Sequence, residues 1–224
     1  MLAFERFSSR GTDRAEFLPK TLIVAGWTGR DEKALHHHIE ELAAIGVPRP
    51  TSVPVFYRIS TANLTQTALL EVLGPDTSGE AEPVIVSMQD GFWLGVGSDH
   101  TDRKAEIMGI ALSKQLCAKV VGKTLWRLDE VARHWDQLIL RAYVTIDGKC
   151  MKYQEGPLSA MRNPSDLISR TGGELVTGTI MFCGTLGAIG GIRPAAQFKA
   201  LLEDPILSRV MTCEYYIDVL PVVR

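Results

Sequence analysis

The stretch GEAEPVIVSMQDGFWLGVGSDHTDRKAE, residues 79–106, decides both the fold class and the place of any chemistry. Two apolar, β-rich runs, PVIVSM and GFWLGVG, flank the turn sequence QDG and read as two strands joined by a tight connection. Glu80 and Glu82 stand at i and i+2 at the start of the first run, so on a strand both carboxylates point into one space. Two like charges held that close are unfavourable unless a cation or a proton intervenes, although an acidic strand edge facing water gives the same pattern. Beyond the second run, Asp99, His100, Asp102, Arg103 and Glu106 crowd into a loop leading to a helix. Dense mixed charge after a Gly-rich strand end is a common site geometry. A helix N-cap at Ser98 or Asp99, with early acidic residues on the helix dipole, explains the same residues and is compatible with a site.

Outward from this stretch the pattern stays mostly β. TLIVAGW (residues 21–27), LILRAYVTI, GTIMFCGTL and CEYYIDVLPVV are apolar runs separated by turns such as DGK and TGG. DEKALHHHIEELAAIGV predicts a helix capped by Asp31 and ended by Gly46, with Leu35, Ile39, Leu42 and Ala43 at helical spacing. PRPTSVPVFYRIS carries three prolines and predicts an extended segment leading into a strand at residues 55–59. RKAEIMGIALSKQL and LDEVARHWDQL predict two further helical stretches. Strands outnumber helices and do not alternate with them as βαβ units would, which predicts an α+β fold with a mixed or antiparallel sheet system. Residues 1–20 read as an N-terminal arm and residues 21–224 as a single domain, since 224 residues suffice for one full core.

Composition narrows the function. With 46% hydrophobic and 22% charged residues, a net charge of −2 and no basic tract, the chain offers neither a nucleic-acid footprint nor a patch for anionic membranes. No apolar run approaches the length of a membrane span. The N-terminus MLAFERFSSRGTDR mixes both charge signs without an apolar core, so no signal peptide is read and a cytoplasmic, bacterial-type location is expected. Cys117, Cys150, Cys183 and Cys213 never form C-x-x-C and signal neither a zinc site nor a disulfide framework.

Two further residue sets bear on chemistry. His36, His37 and His38 precede Glu40 and Glu41 on the first helix; His38 and Glu41, at i and i+3, can meet across a turn and orient an imidazole as a base. On spacing alone, a solvated helix face is the better account of them. Three carboxylates with no clustered soft ligand favour an oxygen-loving ion, Mg²⁺ first, with Mn²⁺ or Ca²⁺ as alternatives.

Taken together, these features resemble the fumarylacetoacetate hydrolase family over nearly the whole chain, in a divergent bacterial branch. The most specific part is DGKCMKYQEGPLSAMRNPSDLISRTGGELVTGTIMFCGTLGAIGG, similar to the family's L-x-x-G-D-x-x-x-T-G-T-P-x-G-V-G region and its preceding strand, with Thr179, Cys183 and Leu186 as departures. By that match Gly184 and Thr185 correspond to the substrate-holding G-T pair. PVFYRIS resembles P-x-x-F-x-K-P, with Arg58 where Lys is usual, and GEAEPVIV resembles E-x-E-L-A-V-V, whose two Glu bind metal. SDHTDRK resembles N-D-x-S-A-R-D, which implies Asp99 as third metal ligand and Arg103 as a substrate-binding residue. Ser113-Lys114-Gln115 resembles the GK-x-F-D signature with its catalytic-site lysine. The family's H-x-x-E lid pair is similar to His38 and Glu41, with His37 and Glu40 an equally spaced competitor.

The resemblance implies a fumarylacetoacetate-hydrolase-like mixed β-roll or β-sandwich with a few short helices, acting as a homodimer or larger homo-oligomer on a small-molecule oxo acid. Glu80, Glu82 and Asp99 would hold a divalent metal; Lys114 with the His38–Glu41 pair would serve catalysis; Arg58, Arg103, Gly184 and Thr185 would hold substrate. The expected reaction is C–C hydrolysis of an acylpyruvate or β-diketo acid through an enolate. Decarboxylation, hydration or isomerisation of 2-oxo acids on the same site is the alternative, and a non-catalytic metal- or ligand-binding protein is the rival of another class.

Overall fold

The computed structural model describes residues 1–44 and 49–223, without the side chains at 38, 41, 42 and 44. Along the chain run β1 (Leu2–Ser8), β2 (Gly11–Phe17), β3 (Thr21–Gly26), α1 (Glu32–Ala44), β4 (Val55–Ile59), β5 (Leu64–Thr65), β6 (Leu69–Leu73) and β7 (Thr77–Ser78). Then come β8 (Ala81–Met88), β9 (Gly91–Ser98), β10 (Thr101–Asp102), α2 (Arg103–Glu106), α3 (Ile110–Leu116), β11 (Lys119–Val121), β12 (Thr124–Arg127) and α4 (Leu128–Val131). The last part holds β13 (Ile139–Ile146), β14 (Lys149–Pro157), α5 (Pro164–Arg170), β15 (Thr179–Phe182), β16 (Gln197–Asp204) and β17 (Arg209–Leu220).

One mixed sheet follows the order β2-β1-β12-β9-β8-β15-β3-β4, with β11 joining β9 to β5. A second sheet follows β14-β13-β16-β17-β6. Between the two lies a core that includes Ile85, Leu94, Leu140, Phe198, Leu202 and Tyr215. A second core, with Phe4, Leu22, Val84, Trp93, Leu125 and Phe182, draws every buried member from the larger sheet, so that sheet curls around its own interior as a roll. Every residue of β8 is buried for this reason, which explains why PVIVSM is a continuous apolar run rather than an alternating one. This is the α+β, mixed-sheet architecture with few short helices that the sequence led us to expect.

The first twenty residues are not a free-standing arm. They form the hairpin β1–β2, in register from Leu2 opposite Phe17 to Ser8 opposite Gly11, and β1 adds in parallel to β12. Leu2, Phe4 and Phe17 are buried in the roll, so their apolar surface requires the domain. The stretch after Asp102 is also shorter in helix than expected. α2 and α3 are separated at Gly109, whose φ of +157° lies far from helical values and interrupts the helical path. The strand pair β8–β9, read from QDG, forms in full register from Ala81 opposite Ser98 to Met88 opposite Gly91.

Candidate active site

Where β8 begins and β9 ends, the chain brings the three predicted acids together. Ligand-capable oxygens of Glu80, Glu82 and Asp99 lie within 4.8 Å of one another. The pairing of Ala81 with Ser98 sets this convergence, and Asp99 N–H donating to Glu80 O at 3.0 Å closes it. Asp99 is fully buried and Glu82 nearly so, at 0% and 2% exposure, so neither carboxylate is a water-facing strand edge.

Burial on this scale demands partners. Lys114, from α3, places its ammonium against Asp99 and 3.4 Å from Glu80 Oε2. Lys119, from β11 and wholly buried, lies 2.8 Å from Asp99 Oδ1 and donates to His100 O at 2.5 Å. Burial would raise the Asp99 carboxyl, but these two ammonium groups hold it down at about 2. Burial likewise opposes the charge on Lys114, and Asp99 and Glu80 outweigh it and raise its pKa. Glu82 is treated differently. Its Oε2 accepts from Gly184 N–H at 2.7 Å, and it forms no salt bridge among the described residues. Burial first and Asp99 second push its carboxyl well above the ordinary range.

Arg103 caps the outer side of the cluster. Its guanidinium donates to Ser78 Oγ at 2.7 Å and to Glu106 Oε2 at 3.0 Å, and sits 3.0 Å from Glu80 Oε1. Its charge is thereby spent on holding Glu80 and Glu106 in place. Gly184 and Thr185 lie opposite. Gly184 has φ +98°, and a Cβ there would sit 1.7 Å from Thr28 Oγ1, so the turn that aims its N–H at Glu82 requires glycine. Thr185 Oγ1 donates to Ala81 O at 2.8 Å.

These groups line the inner part of a cavity of about 610 Å³. Its outer walls are largely apolar, with Leu35 from α1, Ile107, Ile110, Leu186 and Ile192. The expected site residues Glu80, Glu82, Arg103, Lys114, Gly184 and Thr185 all border it, with Asp99 buried directly behind. Arg58 does not reach the cavity. It is exposed on β4, 3.4 Å from Thr21 Oγ1, while its neighbour Tyr57 lines the cavity instead. Alternation along a strand puts consecutive side chains on opposite faces, and the tyrosine has the inner one. The His38 and Glu41 side chains lie outside the described residues. In the competing His37–Glu40 pair, Glu40 is engaged by Arg49, whose guanidinium lies 2.5 Å from Glu40 Oε2.

Three contributors escaped the sequence reading. Gln154, on β14 and 2% exposed, accepts from Ala81 N–H at 2.9 Å and donates to Thr185 Oγ1 at 2.8 Å and to Leu186 O. It ties β8 to the Gly184–Thr185 turn. Lys119 had one available signal, a lysine inside the apolar run KVV. Tyr57 is addressed below. His100, inside the charged loop, is structural: Tyr215 OH and Thr77 Oγ1 each lie 2.9 Å from its ring nitrogens, and burial drives its pKa down to about 3.

The donor set fits a hard divalent cation. All three candidate ligands are carboxylates, Asp99 Oδ1 is buried without an aligned hydrogen-bond donor, and Glu82 is a buried acid with no salt bridge among the described residues, its charge offset only in part by Lys114.

The architecture is shared with solved structures. A protein assigned as a fumarylacetoacetate isomerase/hydrolase from Oleispira antarctica aligns over 96% of this chain and 99% of its own, at 17% identity and a TM-score of 0.63. One assigned to the fumarylacetoacetate hydrolase family, from Yersinia pestis CO92, aligns over 96% and 100% at 16% identity and 0.63. A 2-keto-3-deoxy-D-arabinonate dehydratase, complexed with magnesium and 2,5-dioxopentanoate, aligns over 91% and 74% at 15% identity and 0.64. No curated protein sequence matches the chain. A family model matches residues 25–215, and on that match this chain, with its fumarylacetoacetate-hydrolase-like fold, belongs to the family described as "Protein of unknown function (DUF2848)".

Proposed function

We propose that this chain is a divalent-metal-dependent enzyme that hydrolyses a carbon–carbon bond of a small 2-oxo acid, with an acylpyruvate-type substrate carrying an apolar acyl end. The observation that carries the reading is one cavity with two unlike ends: converging buried carboxylates at the inner end and apolar walls at the outer. Glu80, Glu82 and Asp99 would hold the cation. When bound there, a divalent cation supplies Lewis-acid charge beside the substrate's oxo and carboxylate oxygens.

The remaining residues orient and exclude. Lys114 keeps a positive charge at the inner end, suited to a carboxylate or enolate oxygen. Arg103 holds Glu80 in position rather than reaching for substrate. Gln154 and Thr185 lock the turn that carries Gly184. Leu35, Ile107, Ile110 and Ile192 present apolar surface to an acyl group and keep water from it. In the overall reaction water gives its hydroxyl to the acyl carbon and a proton to the neighbouring methylene carbon, releasing a carboxylic acid and pyruvate. The base for that water is His38 or His37 on α1 in this proposal.

A second reading, dehydration of a 2-oxo sugar acid, draws on the magnesium-bound dehydratase of similar fold. The apolar outer walls favour the first reading, since a polyhydroxy acid there would leave hydroxyls unpaired. Turnover of straight-chain acylpyruvates and of 2-keto-3-deoxy sugar acids, each with and without Mg²⁺ or Mn²⁺, tests the choice. Metal-dependent release of pyruvate is expected from the acylpyruvates. Turnover of the sugar acids alone would move the assignment to dehydration. Metal-dependent thermal stabilisation with no turnover of either would make the chain a binding protein, and neither stabilisation nor turnover would overturn the metal site.

A further inference from the structure

A phenol stands in the cavity wall that none of the groups above requires. Tyr57 lies on β4, paired with Val24 of β3, and its ring reaches diagonally across the end of β3. Gly26 makes this path available: a Cβ at that position would lie 2.9 Å from Tyr57 Cε2. The next residue, Trp27, has φ +59°, an uncommon conformation for a bulky side chain that costs on the order of 1–3 kcal/mol. That backbone turn brings its indole to Tyr57, where the two side chains hydrogen-bond. Both residues line the cavity.

The direction of that bond follows from chemistry. An indole N–H can only donate, so the phenol oxygen is the acceptor. The phenol's own proton is therefore directed elsewhere, and it has no acceptor among the described residues. Burial raises the Tyr57 pKa, so the group stays a neutral donor through the physiological range. Its electrostatic neighbours are Lys114, Glu106 and Asp99, the same charges that mark the inner end of the cavity.

Resting on the metal-dependent oxo-acid reading, we infer that Tyr57 contacts substrate, donating its O–H to an oxygen of the bound oxo acid, and that Trp27 is the positioning residue that aims it. Gly26, the left-handed Trp27 and the indole bond then serve one end: a fixed hydroxyl donor facing the charged end of an otherwise apolar-walled cavity.

The test uses acetylpyruvate (2,4-dioxopentanoate) as the probe, with Mg²⁺, on the full chain. Y57F keeps the ring over Gly26 and removes only the hydroxyl, so its melting temperature and its Mg²⁺-dependent stabilisation should match the wild type. Its kcat/KM should fall about 10- to 100-fold, the loss expected when a substrate oxygen forfeits a buried donor. W27F should lose several-fold, and W27F added to Y57F should cost little more, since the two act on one proton; a merely structural tryptophan would give an additive loss. Full activity in Y57F with the metal response intact overturns the Tyr57 assignment and leaves the metal site standing, as does an additive double variant for Trp27. If the wild type neither responds to Mg²⁺ nor acts on any probe, the oxo-acid reading fails, and this inference with it.

Discussion

Replacing Glu82 by Gln should reverse its effect on stability according to whether metal is present. The amide keeps the shape and the oxygen that accepts from Gly184 N–H, and removes the charge. In the protein without metal, Glu82 shares a 4.8 Å sphere with two other carboxylates. A like-charge pair at that separation costs about 3.5 kcal/mol at an effective dielectric near 20, offset in part by Lys114. The carboxyl escapes by holding its proton, and its raised pKa gives the sign. A group whose folded-state pKa lies above its unfolded value contributes stability that is fully present below the unfolded value and lost as pH rises through the folded one. In EDTA, E82Q should therefore match the wild type at mildly acidic pH and exceed it increasingly as pH rises, by about 1–3 kcal/mol, or roughly 2–10 °C in melting temperature. With Mg²⁺ at about 100 times its dissociation constant the wild type should gain about 2.7 kcal/mol, or roughly 5–10 °C, and E82Q little of this. Differential scanning fluorimetry at several pH values, with EDTA or Mg²⁺, reads all four arms. A destabilised E82Q in EDTA, or one that keeps the full Mg²⁺ shift, would refute the view of Glu82 as a buried acid only partly offset by Lys114 and completed by a cation.

Other expectations follow from single observations. G184A places a methyl 1.7 Å from Thr28 Oγ1 at φ +98° and should lower the melting temperature by roughly 5–15 °C, with T28A in the same chain restoring part of it. Q154A strands Ala81 N–H and loosens Thr185; a loss of about 1–3 kcal/mol is expected by denaturant titration. His100 is held neutral with a pKa of about 3, below the unfolded value, so its contribution is present at neutral pH and lost as pH falls from about 6.5 toward 3; H100Q should flatten that part of the stability–pH curve. R58A removes an exposed side chain away from the cavity and should leave kcat/KM within about twofold of wild type; a larger loss would return Arg58 to the site.

The local part of this protein was legible in residue order. The i, i+2 spacing of Glu80 and Glu82 and the QDG turn between two apolar runs sufficed to expect the strand pair with two carboxylates on one side, because strand periodicity and turn chemistry are properties of neighbouring residues, whereas that Asp99 joins them was implied only by the family resemblance. Other features arise only when distant segments meet. Lys119 reaches Asp99 because β11 pairs with β9, and Gln154 reaches Ala81 across the two sheets. Tyr57 rather than Arg58 faces the cavity because the β3–β4 register gives it the inner side, which no count along PVFYRIS can show. The N-terminal hairpin joins the roll through β12, more than a hundred residues away in sequence. Side-chain identity and short spacing fixed which acids could converge; strand register between remote segments decided which cations and donors surround them, because a one-residue slip would turn each of those side chains to the opposite face.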